Sequence, residues 1–100
     1  MAIGDVQEKG GWIYVYDDNN REISHTSSRG KELVAVGEDF FVVISDSWIY
    51  TYDEKCREIA HMNGRGKEVR GASGAKFSVK QDSWIYIYGR DCREISHRSA

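Results

Sequence analysis

One stretch of fourteen residues occurs three times in this chain. Residues 12–25 read WIYVYDDNNREISH, residues 48–61 read WIYTYDEKCREIAH, and residues 84–97 read WIYIYGRDCREISH. Each copy begins 36 residues after the one before it, and eight of the fourteen positions are identical in all three. A fixed period of this length indicates a repeat architecture, in which each unit is stabilised by packing against its near-copies.

Within each period the apolar residues alternate with a period of two, which predicts β-strands and no helix. In the second unit, FFVVIS (40–45), WIYTYD (48–53) and REIAHM (57–62) read as three strands separated by short polar turns. Two further segments, 29–39 and 65–75, each contain one more strand between glycines. We therefore expect an all-β fold of about eleven strands, built from three tandem antiparallel β-meanders.

The repeat also predicts how the chain is divided. We expect a single all-β repeat domain that covers residues 1–100, a length that buries roughly 65 % of the unfolded chain's surface. Its units span residues of about 3–28, 38–64 and 74–100, and the connecting strands span about 29–37 and 65–73.

The strand that begins with tryptophan is apolar on both sides. Alternation places Trp12, Tyr14 and Tyr16 on one face, and Ile13 and Val15 on the other. A strand of this kind lies in a sheet that is covered on both faces. The units must therefore pack on one another or on a second chain.

The same alternation, applied to REISH, assigns the next strand. It places Arg21, Ile23 and His25 on one face, and Glu22 and Ser24 on the opposite face. Because Arg and Glu then point to opposite sides, we expect the Arg of one unit to pair with the Glu of the next.

The strand order of each unit resembles the blade of a β-propeller. Propellers hold 4–8 blades, so this resemblance implies a homodimer whose two chains form a six-bladed ring. The repeat number and spacing are also similar to those of the monocot mannose-binding lectins, which implies a β-prism-like monomer with pseudo-threefold symmetry. A β-trefoil is a third threefold alternative.

The lectin family binds mannose through Gln, Asp, Asn, Val and Tyr at alternate strand positions. Asp82 and Tyr88 match this motif in the third unit, but Lys80 and Trp84 stand in the places of the Gln and Asn. The first and second units match it at Tyr16 and at Asp46 and Tyr52. Because the amide pair is absent, the resemblance does not imply that family's mannose pocket here.

A different sugar site is the leading functional hypothesis. Aromatic rings stack on the C–H bonds of sugars, and charged groups fix the hydroxyls. This suggests a small non-enzymatic, lectin-like binding module, and the alternative is a protein-interaction or assembly domain acting as a homo-oligomer. The same aromatic residues would also suit the core and the seams between units. The candidate ligand residues are Trp12, Trp48, Trp84, Tyr16, Tyr52, Tyr88, Arg21, Arg57 and Arg93.

The histidines of the three units, His25, His61 and His97, suggest a further alternative. If all three faced the repeat axis, their imidazoles would bind zinc and leave a fourth position open. Hydrogen bonding to a carbonyl or to a neighbouring unit is the structural alternative, and we expect no cofactor. We also expect no catalytic residue and no enzyme activity, because no residue is singled out by breaking the threefold pattern.

The net charge and the cysteines limit which partners and which cellular compartment are expected. The net charge of −2 argues against nucleic acid as a partner, and no apolar run approaches the ~20 residues of a spanning helix. Carbohydrate and a second copy of the chain remain the candidate partners. Cys56 and Cys92 correspond to Asn20, which predicts a turn position and two free thiols. With no signal-peptide pattern in MAIGDVQEKGG, the thiols predict a cytoplasmic protein.

Overall fold

The computed structural model describes residues 3–99, which form eleven β-strands and no helix. The strands are β1 (Asp5–Lys9), β2 (Trp12–Tyr16), β3 (Glu22–Ser27), β4 (Glu32–Val36), β5 (Phe40–Ser45), β6 (Trp48–Asp53), β7 (Glu58–Asn63), β8 (Glu68–Ser73), β9 (Lys76–Gln81), β10 (Trp84–Gly89) and β11 (Glu94–Ser99). The predicted all-β class is confirmed. Within residues 3–99 there is also no helix long and apolar enough to cross a membrane.

The strands form three antiparallel sheets. The first sheet has the order β1-β2-β3, the second β4-β5-β6-β7 and the third β8-β9-β10-β11. The connecting strands β4 and β8 are therefore the first strands of the second and third sheets, and each pairs with the strand that follows it. The sequence predicts three meanders of three strands joined by two connecting strands; the structure has the three repeated antiparallel units, and its architecture is consistent with a prism-like class.

The turn after each tryptophan strand explains why its residue types vary. Asn20, Cys56 and Cys92 occupy the same turn position with φ of 65°, 61° and 62°. This left-handed conformation is unusual for any residue with a Cβ, and Asn adopts it more readily than most. The prediction of a turn position is confirmed, and so is the prediction that both cysteines are free thiols.

A β-bulge in the last strand of each unit overturns the predicted faces of REISH. In the first sheet Tyr16 pairs with Glu22 and Val15 pairs with Ser24, so the strand has one extra residue, Ile23, at this point. Glu22 and Ser24 consequently lie on opposite faces, whereas simple alternation put them together. The same register shift recurs in the second sheet and in the third. A bulge places two residues opposite one and so reverses every assignment beyond it.

The interior is divided between the two faces of the second sheet. One buried cluster joins Val6, Ile13 and Val15 of the first sheet to Phe41 and Val43 of the second. The other cluster joins Phe40, Val42 and Ile49 of the second sheet to Phe77 and Val79 of the third. The first and third sheets are thus joined through the second one, which lies in the middle of a row.

Both junctions use the same pair of faces. We call the face that carries Ile13 and Val15, and its counterparts 36 and 72 residues later, the forward face. The opposite face, which carries Phe41 and Val43 in the second sheet, is the back face. At each junction the forward face of one sheet packs on the back face of the next. The closest approach between neighbouring sheets is along their first strands, β1 to β4 and β4 to β8.

Each junction also contains one side-chain hydroxyl that donates across it. Ser24 Oγ donates to the Glu54 carbonyl at 2.6 Å at the first junction, and Thr51 Oγ1 donates to the Arg90 carbonyl at 2.6 Å at the second. The two acceptors are equivalent residues of the repeat, but the donors lie on β3 and on β6. Thr51 pairs in register with Ala60, the counterpart of Ser24. The donor thus lies on the last strand of the first sheet but on the tryptophan strand of the second sheet, and both donors bond to the equivalent carbonyl.

We predict that equivalent isoleucines contribute unequally to stability. Ile49 is fully buried between the second and third sheets, whereas Ile85, its counterpart on the forward face of the third sheet, is only half-buried. Ile49→Ala should lower the free energy of unfolding by about 2–5 kcal/mol, because it leaves a cavity. Ile85→Ala should lower it by less than about 1 kcal/mol. Urea unfolding of dilute protein measures both, and equal losses would contradict the row of three sheets.

Candidate functional site

The same group of side chains lies on the back face of every sheet. In the first sheet Trp12, Tyr14 and Tyr16 alternate along β2, and His25 and Glu22 lie opposite them on β3. The counterparts are Trp48, Tyr50, Tyr52, His61 and Glu58 in the second sheet, and Trp84, Tyr86, Tyr88, His97 and Glu94 in the third. We call each Trp, His and Glu set an aromatic triplet. The β-bulge brings the Glu onto the same face as the His.

The three aromatic triplets have closely similar geometry. The Trp and His ring centroids lie 5.3, 5.6 and 5.4 Å apart, with the ring planes at 75°, 72° and 73°. The next tyrosine along the strand lies 5.9, 5.7 and 5.7 Å from the same imidazole. In every sheet His Nδ1 and Glu Oε2 are 2.9 Å apart. The imidazole is thus held between a ring edge and a carboxylate.

The aromatic triplets remain exposed in all three sheets. Trp12, Trp48 and Trp84 are 43 %, 42 % and 44 % exposed. A neighbouring sheet covers the back face of the second and third sheets but not that of the first. Because this cover does not change the exposure of the tryptophans, they lie outside the contact between sheets.

The outer tyrosines of the predicted site have a different role. Tyr52 stacks on Phe41 at a centroid distance of 5.5 Å, and Tyr88 stacks on Phe77 at 5.6 Å. Both pack against the buried clusters. Burial, and after it the nearby carboxylates Glu58 and Glu94, raises the pKa of Tyr52 and of Tyr88, respectively. These two side chains therefore serve the junctions.

Tyr16 stands apart from its two counterparts. It pairs in register with Asp5, at the position where Phe41 and Phe77 support the other two tyrosines. It lies on the back face of the first sheet, which neither of the other two sheets formed by residues 3–99 covers. Of the three predicted tyrosines, Tyr16 alone keeps an uncovered face.

The arginines of the predicted site lie at the other end of the strands. Trp48 begins β6 and pairs with Asn63, whereas Arg57 precedes Glu58, which pairs with Tyr52. Four residues of strand, roughly 13 Å, therefore separate the two ends. The structure does not bring Arg21, Arg57 and Arg93 together with the tryptophans.

The expected pairing of Arg with Glu between units is wrong for residues 3–99. Each Glu of the repeat contacts the His of its own strand, as described above. Arg57 instead pairs with Asp53 of its own turn, with Nε and Oδ2 at 3.0 Å. Burial acts to raise the pKa of Asp53, but hydrogen bonds from Arg57 and Lys55 outweigh it, and the pKa is lowered.

The three histidines do not meet at an axis. Each lies on the last strand of its own sheet, half exposed and hydrogen-bonded to its own Glu. Within residues 3–99 no group of three or more His, Cys, Asp or Glu side chains is placed to hold a metal ion. The structure therefore gives the three-His hypothesis no geometric basis.

Glu22, Glu58 and Glu94 belong to the site although strand alternation does not predict it. The signal for them is the spacing Glu-Ile-x-His, which is kept in all three units together with the tryptophan. The Glu and the His are three positions apart, which would put them on opposite faces of a regular strand. Only a bulge makes them neighbours.

The two thiols lie at the junctions. Cys56 Sγ is 3.2 Å from Ser24 Oγ, and Cys92 packs against the second buried cluster. Burial raises the pKa of both Cys56 and Cys92 above that of a free thiol. The folded state therefore favours the protonated thiols.

Compared with known proteins, the chain matches no family model and no curated protein. The geometry of the site is therefore the basis for a proposed function.

We predict that alkaline pH destabilises the fold through these thiols. A raised pKa contributes stability that is complete below the unfolded value, 9.0 for Cys56, and is lost as the pH rises through the folded value. The urea midpoint should therefore fall as the pH is raised above 9.0. The double variant Cys56→Ala and Cys92→Ala should show a shallower fall over this range. Equal slopes for the two proteins would show that the thiols do not contribute.

Proposed function

We propose that the protein is a non-enzymatic carbohydrate-binding module with three equivalent, shallow sites, one for each aromatic triplet. The observation that carries this proposal is that a Trp, His and Glu set of constant geometry stays exposed in all three sheets. Large aromatic side chains outside the core and outside the junctions are not needed to hold the sheets together. Their exposure in every copy supports a binding role.

The chemistry of the aromatic triplet suits a sugar ring. The indole offers an apolar surface for the C–H face of a pyranose, and the neighbouring polar groups can pair with its hydroxyls. When the imidazole donates its Nδ1 proton to the Glu, its Nε2 is left as an acceptor. The second oxygen of the carboxylate is another acceptor. This arrangement favours a ligand that is rich in hydroxyl donors.

The proposed site differs from the one expected from sequence. It keeps the tryptophans, replaces the arginines with the His and Glu of the triplet, and leaves Tyr52 and Tyr88 to the junctions. The lectin-like character rests on this chemistry and not on the mannose pocket of the monocot lectins. A cytoplasmic setting, suggested by the two free thiols, belongs to the same proposal.

We predict weak sugar binding at three sites per chain. Titration with a panel of neutral and acidic mono- and oligosaccharides should change tryptophan fluorescence, with dissociation constants of about 1 mM, as expected of shallow sites. The triple variant Trp12→Ala, Trp48→Ala and Trp84→Ala should weaken binding at least tenfold when it is followed by calorimetry. The control is Val36→Ala, which removes an exposed apolar side chain outside the triplets.

The replacement of Glu22, Glu58 and Glu94 by Ala separates stacking from hydroxyl recognition. It keeps the indoles but removes the carboxylates, so affinity should fall while the fluorescence response to bound sugar remains. If no sugar of the panel changes the tryptophan fluorescence of the native protein, the proposal is overturned. So would unchanged binding in the triple tryptophan variant.

A further inference from the structure

The row of three sheets ends in two uncovered faces. The forward face of the third sheet and the back face of the first sheet lie outside the two buried clusters. Each is a repeat-related copy of a face that is buried elsewhere in the chain. The forward face of the second sheet, for example, holds the fully buried Ile49 and Thr51, whose counterparts on the third sheet are Ile85 and Ile87.

The forward face of the third sheet is apolar in its middle and basic around it. Ile85 and Ile87 are retained on β10, and both are half-buried. Around them Lys76, Lys80 and Arg98 replace Phe40, Ile44 and Met62 of the second sheet. The face also carries Glu68, which pairs in register with Lys80. An open groove of about 660 Å³, lined by Gly71, Ser78, Ile87 and Arg98 among others, runs across this face.

The back face of the first sheet carries the opposite sign of charge. Asp5 and Gln7 stand where the second sheet has Phe41 and Val43, next to Tyr14 and Tyr16. Asp17 and Asp18 follow in the adjoining turn, and Glu22 lies on β3. Lys9, which lies over Tyr14, and Arg21 are cations in this region, but they are outnumbered by the four acidic groups just named.

The two end faces carry the donor and the acceptor that are equivalent to those of the hydrogen bonds at the two junctions. The hydroxyls of Ser24 and Thr51 each donate a hydrogen bond to the backbone carbonyl of a turn residue in the next sheet. Ser96, the counterpart of Ser24, places a hydroxyl on the forward face of the third sheet. The equivalent acceptor is the Asp18 carbonyl of a first sheet. Beside that acceptor Asn20 replaces the thiols of Cys56 and Cys92 and offers an amide to hydrogen-bond with.

We propose that the two end faces bind each other between two copies of this chain. The forward face of the third sheet in one copy covers the back face of the first sheet in the other, and the contact occurs twice. The result is a closed ring of six sheets. Closed rings of such sheets hold 4–8 of them, and two copies of three sheets are the one whole number of chains that meets this range.

Charge complementarity is what selects a second copy as the occupant. Polar end faces alone would keep a row of sheets soluble, whatever the sign of their charges. On the forward face of the third sheet, basic side chains replace the apolar residues of the second sheet. On the back face of the first sheet, Asp5 and Gln7 replace them. A head-to-tail contact pairs the two ends, whereas contact between identical ends places like charges together.

The new contact is more polar than the two junctions within the chain. It should therefore be weaker, depend on protein concentration, and weaken further as salt screens the charges. This inference does not rest on the sugar sites, since the tryptophans lie outside the contact between sheets.

The test is the mass in solution of native protein and of charge-reversed variants. Sedimentation equilibrium of the native chain at low ionic strength and rising concentration should give twice the 11.4 kDa of one chain. Lys76→Glu with Lys80→Glu, or Asp5→Lys with Asp18→Lys, should each raise the dissociation constant about 10- to 100-fold. An equimolar mixture of the two variants should restore the dimer, because both contacts of the mixed ring then join opposite charges.

A matched control distinguishes these faces from a general effect of charge. Lys55→Glu with Arg65→Glu reverses two exposed cations of the second sheet's turns, and it should leave the native mass unchanged. Far-ultraviolet circular dichroism confirms that each variant keeps its strands. A strictly monomeric native chain at all concentrations would overturn the proposal. So would a dimer that the face variants leave intact, or one that the mixture fails to restore.

Discussion

The structure depends on the fact that each sheet has two different sides that must be covered. Residues of one period alternate between a forward face, led by Ile and Val or Thr of the tryptophan strand, and a back face, led by Phe, Val and Tyr. In the second sheet the residues Phe40 to Val43 are all fully buried, because both of its faces have a neighbour. A single sheet of this sequence would leave large apolar areas in water, and burial of such areas is the main favourable term in folding.

The candidate site is what remains outside this packing. The aromatic triplets lie beside the junctions, on the second and third strands of the first sheet and their counterparts in the others, where the covering sheet does not reach. Their geometry is therefore the same whether or not a sheet covers the rest of the back face. One strand face can serve both the site and the core: Tyr50 lies against His61 of the site and, like Tyr52, packs against the first buried cluster.

Much of the fold could be predicted from the period and the alternation. FFVVIS and WIYTYD coincide with β5 and β6, and alternation predicts the two faces of Trp12 to Tyr16 correctly. The bulge at Ile23 could not be predicted, because it contains no Gly and depends on how β3 pairs with β2. That one extra residue moved Glu22 next to His25 and so changed the membership of the candidate site. The row of sheets could not be predicted either, since alternation gives faces but not the neighbour that covers each one.

The hydroxyl that changes strand between the two junctions shows how the copies have diverged. Val15 and Ser24 in one sheet correspond to Thr51 and Ala60 in the next, and each pair holds one hydroxyl and one apolar side chain. Each sheet therefore has one hydroxyl at this pair of positions, and exchanging only one of the two residues would give it two hydroxyls or none. Recombination between the repeats would therefore be tolerated where the break falls in a turn and leaves β2 with β3, or β6 with β7, intact. A break between the paired strands would produce a junction with two donors or with none.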